Sequence, residues 1–161
     1  DQVIRNAPCD LALLKIESTD IPKRCLFPTA GGAHALLAAE LLNVLAPAFG
    51  MTVTACKVVD PDASPEARAE AHHWIDKTLA RIGPDVKVDR MLIESDSIPG
   101  GIAKASKDFD LVVLGAAREP MFRQVLFGEI PEKVARYSPA SVLVVKQYEG
   151  RVRSIFKRVF G

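Results

Sequence analysis

Aromatic side chains make up only 6% of this 161-residue chain. So sparse a set offers little for bases to stack on, which argues against single-stranded nucleic acid as a partner. An excess of one charge is also missing. Twenty-one lysines and arginines against 20 acids leave a net +1, without the basic surplus that phosphate backbones require. No apolar run reaches the roughly 18 residues of a membrane-spanning helix, and the opening residues carry no signal-peptide pattern, so a cytosolic placement is expected. Cysteine is scarce and odd in number. Cys9, Cys25 and Cys56 sit beside or within apolar runs, with no C-x-x-C and no neighbouring histidine. Buried, reduced thiols are expected, rather than disulfides or a metal centre. No Ser/His/Asp or Cys/His arrangement and no carboxylate pair spaced for acid–base work is visible, so a non-enzymatic role is expected.

What the chain does have is alternation. At 48% apolar, it can bury the core of one ordinary domain. Arg24 to Pro28 reads as a short strand ended by proline. Gly31 to Ala46, rich in Ala and Leu, reads as a helix whose end Pro47 and Gly50 mark. Met51 to Val59 reads as a strand, and Ser64-Pro65 as an N-cap followed by proline at the first helical position. Ala67, Ala71, Trp74, Ile75, Thr78, Leu79 and Ile82 then recur at the helical period. Val86 to Ile93 reads as a strand, and Ile98 to Lys107 as a short helix for which Ser95, Asp96 and Ser97 supply caps. Strands alternating with helices imply right-handed crossovers, a mostly parallel sheet and helices on both faces.

The stretch from Asp110 to Lys146 says most about a site. Leu111-Val112-Val113-Leu114 is a strand buried on both faces, ended by Gly115. Thirteen residues on, Gly128 opens a helix over Glu129 to Arg136 with Pro131 in its first turn, and Ser141 to Val145 is a second buried strand. A loop from a strand end to a helix start, at the C-terminal edge of a parallel sheet, is where open α/β folds hold ligands. Elsewhere, His72 and Asp76 stand i, i+4 on a polar helix face and read as solvated. His34, behind Gly31-Gly32, could meet a ligand as a neutral imidazole but reads more readily as a first-turn surface residue.

The chain also repeats itself. Residues 1–15 align with 132–146 at an offset of 131, matching Val3 with Val134, Arg5 with Arg136, Pro8 with Pro139 and Lys15 with Lys146. The expectation is a duplication, with residues 1–17 the tail of a preceding copy and residues 18–148 one full domain. Leu11 to Ile16 would then be an extra strand lying beside the edge strand Val142–Val145, which could otherwise pair with a second subunit in a homodimer. Residues 149–161 differ in kind. Val152, Ile155, Phe156, Val159 and Phe160 form a helical stripe among four cations, suiting either an anionic membrane surface, through Arg151–Phe160, or the domain's own core.

From Lys23 onward these residues resemble the universal stress protein family. The resemblance implies a doubly wound, Rossmann-like α/β fold with an open parallel sheet of five strands, here with the extra N-terminal strand. Nucleotide-binding members carry G-x-x-G-x9-G-[ST] after the fourth strand. Gly115 and Gly128 match the outer glycines, with Arg118 at the middle glycine and Glu129 at the hydroxyl residue. After the first strand many members follow Pro-Thr with an acid, where this chain has Pro28-Thr29-Ala30-Gly31-Gly32. The resemblance implies a ligand site from those five residues, from Val58, from Gly115, Ala116, Ala117 and Arg118, and from Gly128, Glu129 and Ile130, with ATP or AMP as the ligand. Lost glycines weaken a phosphate cradle, a carboxylate repels polyphosphate, and Arg118 could itself clamp an anion. The loop also resembles family members that form tandem cytosolic tails of membrane transporters, such as amino-acid permeases or chloride channels. A regulatory domain that senses a ligand is the expectation, with an ATP- or AMP-binding module and a structural dimerisation unit as alternatives.

Overall fold

The computed structural model describes residues 7–117 and 127–148. Within them lie six strands, β1 (Leu11–Lys15), β2 (Arg24–Pro28), β3 (Thr52–Val59), β4 (Lys87–Glu94), β5 (Leu111–Gly115) and β6 (Ser141–Lys146). Four α-helices connect them: α1 (Ala33–Phe49), α2 (Pro65–Leu79), α3 (Ile98–Ala105) and α4 (Glu129–Tyr137). The sheet order is β1-β6-β5-β2-β3-β4, parallel throughout except for β1. This is the doubly wound sheet that alternation implied, with β1 antiparallel on the edge of β6 from Leu11↔Lys146 to Lys15↔Val142.

The strands between β1 and β4 are buried on both faces because each face carries its own core. On one face Ala38, Ala39 and Leu42 of α1 and Ile75 and Leu79 of α2 pack on Cys25, Phe27, Val53 and Val113. On the other, Ile102 of α3 and Val134 of α4 pack on Leu26, Val112, Val142 and Val144. Consecutive residues of β2 and β5 therefore serve opposite cores, as the two-residue side-chain period requires. Asp110 fixes the entry to β2, accepting from the backbone N–H groups of Lys23 and Arg24 at 2.9 and 2.8 Å.

Helix starts follow their caps. Ser64 Oγ accepts from Ala67 N, and Ser97 Oγ from Gly100 N, each with a proline in the first turn behind it. The structure shifts three boundaries. α1 starts at Ala33, since Gly31 (φ +72°) and Gly32 form the turn and the N-cap. It also runs through Pro47 to Phe49: a proline in the last turn removes only the one bond its N–H would have made to Asn43, and left-handed Gly50 ends the helix. The segment read as one helix over Ile98–Lys107 changes to a 3-10 turn at Ser106, whose hydroxyl donates to Ala103 O at 2.7 Å.

Two expectations for single residues are corrected. Cys9 is exposed, while Cys25 and Cys56 are buried, because Cys9 precedes β1 rather than lying within a strand. His34 is buried, because the first turn of α1 packs under the ends of β5 and β6. Its Nδ1 accepts from Gln147 N at 3.0 Å, so that nitrogen carries no proton.

Candidate functional site

The order of strands places β2 beside β5, and the chain leaves β2 through α1 toward β3 on one side but leaves β5 through α4 toward β6 on the other. A crevice opens at that switch point, a cavity of about 990 Å³ between the Pro28–Gly32 turn, the ends of β3 and β5, and the first turns of α1, α3 and α4. Ten of the expected site residues line it: Pro28, Thr29, Ala30, Gly31 and Gly32, then Val58, Gly115, Ala116, Ala117 and Ile130. Gly128 and Glu129 lie beside it without lining it, and Arg118 falls outside the described residues.

The Pro28–Gly32 turn is built by hydrogen bonds. Thr29 N donates to Cys56 O at 3.0 Å, continuing the β2–β3 ladder by one residue. The buried Thr29 hydroxyl sits 2.7 Å from that of Thr78 and accepts from Gly31 N at 3.1 Å, while Thr78 donates to Trp74 O at 3.0 Å. The threonine side chain thus shapes the turn rather than waiting for a ligand. Gly31 needs its hydrogen: φ is left-handed, and a Cβ there would stand 2.7 Å from Trp74 Cε3. Thr78→Val, nearly isosteric, strips Thr29 of this partner. It is expected to cost about 1–3 kcal/mol, read as a lower urea midpoint at unchanged m-value.

On the far side, Gly115 brings β5 against the start of α1, and Ala116 N and Ala117 N donate to Val145 O and Phe127 O, both at 2.8 Å. Gly128, at φ +100° and ψ 157°, occupies backbone space reserved for glycine, and a Cβ there would overlap Ala117 Cβ. The carboxylate of Glu129 does not face the cavity. It takes a 2.5 Å ion pair from Lys133 one turn on, and that hydrogen bond and charge hold its carboxyl below the usual range. The expected repulsion toward a ligand's phosphate is therefore turned outward and neutralised at the surface.

Among the lining residues that sequence reasoning missed are Trp74, Lys57, Ile102 and Leu114, and it set His34 on the surface. Trp74, assigned above to the core face of its helix, carries a hydrogen bond from its indole N–H to Glu70 at 3.5 Å and has Lys77 Nζ 4.7 Å from its ring centroid. Its signal in the sequence is its position one helical turn before Thr78, the residue that grips Thr29. The lining is mainly apolar, with Val58, Ile102, Leu114 and Trp74 as walls and Lys57 and His34 as the basic side chains. Cys56, at the floor, is held protonated by burial.

The fold is a doubly wound α/β domain with an apolar crevice at its switch point, the place where open α/β sheets generally hold ligands. Residues 22–146 match the model of the universal stress protein family, and the chain belongs to that family. No curated protein matches it significantly. Among solved structures it is similar to the hypothetical protein MJ0577, whose function was assigned from structure, at TM-score 0.66 and 21% identity over 81% of this chain and 100% of that one. It is also similar to a universal stress protein in complex with cAMP (TM-score 0.63, 17% identity, 80% and 100% covered). A third, from Archaeoglobus fulgidus in complex with dAMP, aligns at TM-score 0.62 and 15% identity over 79% and 100%.

Proposed function

We propose that this chain is a non-enzymatic sensing domain that binds an adenine nucleotide, with AMP as the first candidate, in the switch-point crevice. The observation that carries the reading is the cavity itself. Its volume of about 990 Å³ sits at the top of the ~300–1,000 Å³ range of small-molecule pockets. Val58, Ile102, Leu114 and Trp74 offer an apolar slot for a base, while backbone N–H groups at the start of α1 and the Lys57 ammonium suit a phosphate. Two relatives of the same fold were solved with cAMP and dAMP, which supports a nucleoside monophosphate over other planar anions. The outward pairing of Glu129 with Lys133 removes one obstacle that the altered motif presented. Engagement of the Thr29 hydroxyl by Thr78, and a protonated Cys56, support binding without turnover. The same domain would serve as the cytosolic sensor of a membrane transporter, a placement supported by the form of its loop and by the internal repeat.

Trp74 is the only tryptophan in the chain and lines the cavity, so its emission reports occupancy. Titration with AMP, cAMP and Mg-ATP, followed by calorimetry and by Trp74 fluorescence, is the test. Saturable heat and a matching emission change at submillimolar AMP are expected. No heat and no emission change with any of the three at millimolar concentration would remove the reading.

A further inference from the structure

At the edge of the sheet opposite β1 stands β4, and among the described residues it pairs with β3 alone. Ser95, just past the strand, donates its N–H to Val59 O at 3.0 Å and so turns its backbone toward β3. Backbone polar groups alternate sides from one strand residue to the next. Met91 and Ile93 therefore spend theirs on β3, while Arg90, Leu92 and Glu94 turn their N–H and C=O groups to the outside of the sheet.

The two halves of this edge are defended differently. In the first half Lys87, Asp89 and Arg90 are exposed, and Arg90 Nε donates to Asp76 at 2.6 Å. Charges of this kind keep strand edges from pairing. In the second half Met91 and Leu92 are half-buried, Ile93 is buried, and the next charge, Glu94, is held by Arg68 at 2.7 Å. Arg68 is itself fixed by the carbonyls of Ala63 and Pro61 at 3.2 and 3.0 Å, so the Glu94 carboxylate is drawn across to α2.

Beside this second half lies a groove of about 610 Å³, walled on its far side by Gly101, Lys104 and Ala105 of α3 and by Lys107 in the 3-10 turn. Gly101 seats the helix there, since a Cβ would stand 2.8 Å from Ser95 Cβ. Met91, Ile93 and Ala105 supply the groove's apolar surface, and its ends are opposite in sign. As a crossover helix, α3 runs back along β4, which puts Asp96 at the Glu94 end and the two lysines toward Met91. Both lysines are exposed, and among the described residues neither is in an ion pair.

We propose that this half of β4 docks an extended segment of a partner protein, added to the sheet as a further strand and carrying acidic side chains opposite Lys104 and Lys107. The outward N–H and C=O groups of Leu92 and Glu94 pair with the segment's backbone, and the groove takes its alternate side chains. Charge decides the occupant. Two lysines without acidic partners favour an acidic segment, and they repel this chain's own end, where residues 151–160 carry four cations and no acid. The surface is independent of what the crevice binds, although α3 walls both cavities, with Ile98 and Ile102 on the crevice and Gly101 and Lys104 on the groove.

The probe is a fluorescein-labelled peptide of alternating glutamate and valine, about nine residues long, with its lysine–valine counterpart as control. Binding to the 161-residue chain is followed by anisotropy. The glutamate peptide is expected to saturate, to bind at least about tenfold tighter than the lysine peptide, and to lose at least about tenfold in affinity on Lys104→Glu/Lys107→Glu. Both lysines are exposed, so the fold is not at stake. Amide hydrogen exchange, resolved by residue, reads the backbone pairing. At saturation the Leu92 and Glu94 amides should slow by at least about tenfold, while the Ile93 amide, already turned to β3, changes little. No saturable binding, or equal affinity for the two peptides, overturns the proposal. Binding that leaves Leu92 and Glu94 unprotected also overturns it, reducing the contact to ionic attraction. So does protection of those amides that rises with protein concentration in the absence of peptide, which gives the edge to a second copy of this chain.

Discussion

Gly115→Ala is expected to lower the melting temperature by about 6–12 °C and to weaken ligand binding in the crevice. The added Cβ would lie 2.7 Å from both Ala35 N and His34 C. These are backbone atoms in the first turn of α1, so no rotamer change relieves the contact. The helix start must lift off the sheet end, an overpacking cost of about 3 kcal/mol. At roughly 2–4 °C per kcal/mol for a chain of this length, the stated fall follows. Gly32→Ala is the control. Gly32 has φ −80°, and nothing lies within 4 Å of the position its Cβ would take, so its variant should melt close to the parent. Thermal melts of the two variants followed by circular dichroism decide the matter. If both behave alike, the close approach of β5 to α1 is not what shapes the crevice.

The second large effect is alkaline. Burial pushes the Cys25 thiol up to about 12, against a smaller opposing hydrogen bond involving the Val113 backbone. Cys56 is pushed further in the same direction, first by burial and then by the nearby charge Cys25 would carry. Both folded values lie above those of an unfolded chain, so the unfolded state loses its protons first. Their stabilisation is complete below about pH 9 and is lost as pH rises toward 12. Each thiol can shift the folding equilibrium by up to about tenfold per pH unit in that window. Urea unfolding at pH 8, 9, 10 and 11 should show a steep fall that a Cys25→Ala/Cys56→Ala variant, itself less stable at pH 8, shows far less. Parallel pH slopes for the two proteins would contradict the assignment.

How much of this was legible in the sequence depends on the range of the forces involved. The strands β5 and β6 announce themselves because a strand covered on both faces must be apolar along nearly its whole length. The helix starts at Ser64 and Ser97 are local hydrogen-bonding decisions, readable from a few residues. Pro47 misled because its cost depends on where in the helix it falls, and in a last turn that cost is one bond. In the crevice, two of the lining segments, Pro28–Gly32 and Gly115–Ala117, were readable because glycines and a proline mark strand ends. Trp74 was not, since its approach to Gly31 depends on which strand α2 packs beside, a fact of sheet order rather than of period. Glu129 erred in a different way. Its spacing was right for the motif, but its side chain points along its own helix to Lys133. Arg118, and the segment Arg151–Phe160, lie outside the described residues.

The imidazole of His34 adds a polar tie between the cavity wall and the chain just beyond β6. It is anchored in the cavity wall, yet it takes the amide of the first residue after β6. A shift of the opening turn of α1 would therefore have to strain or break the hydrogen bond that holds Gln147 as the chain leaves the sheet.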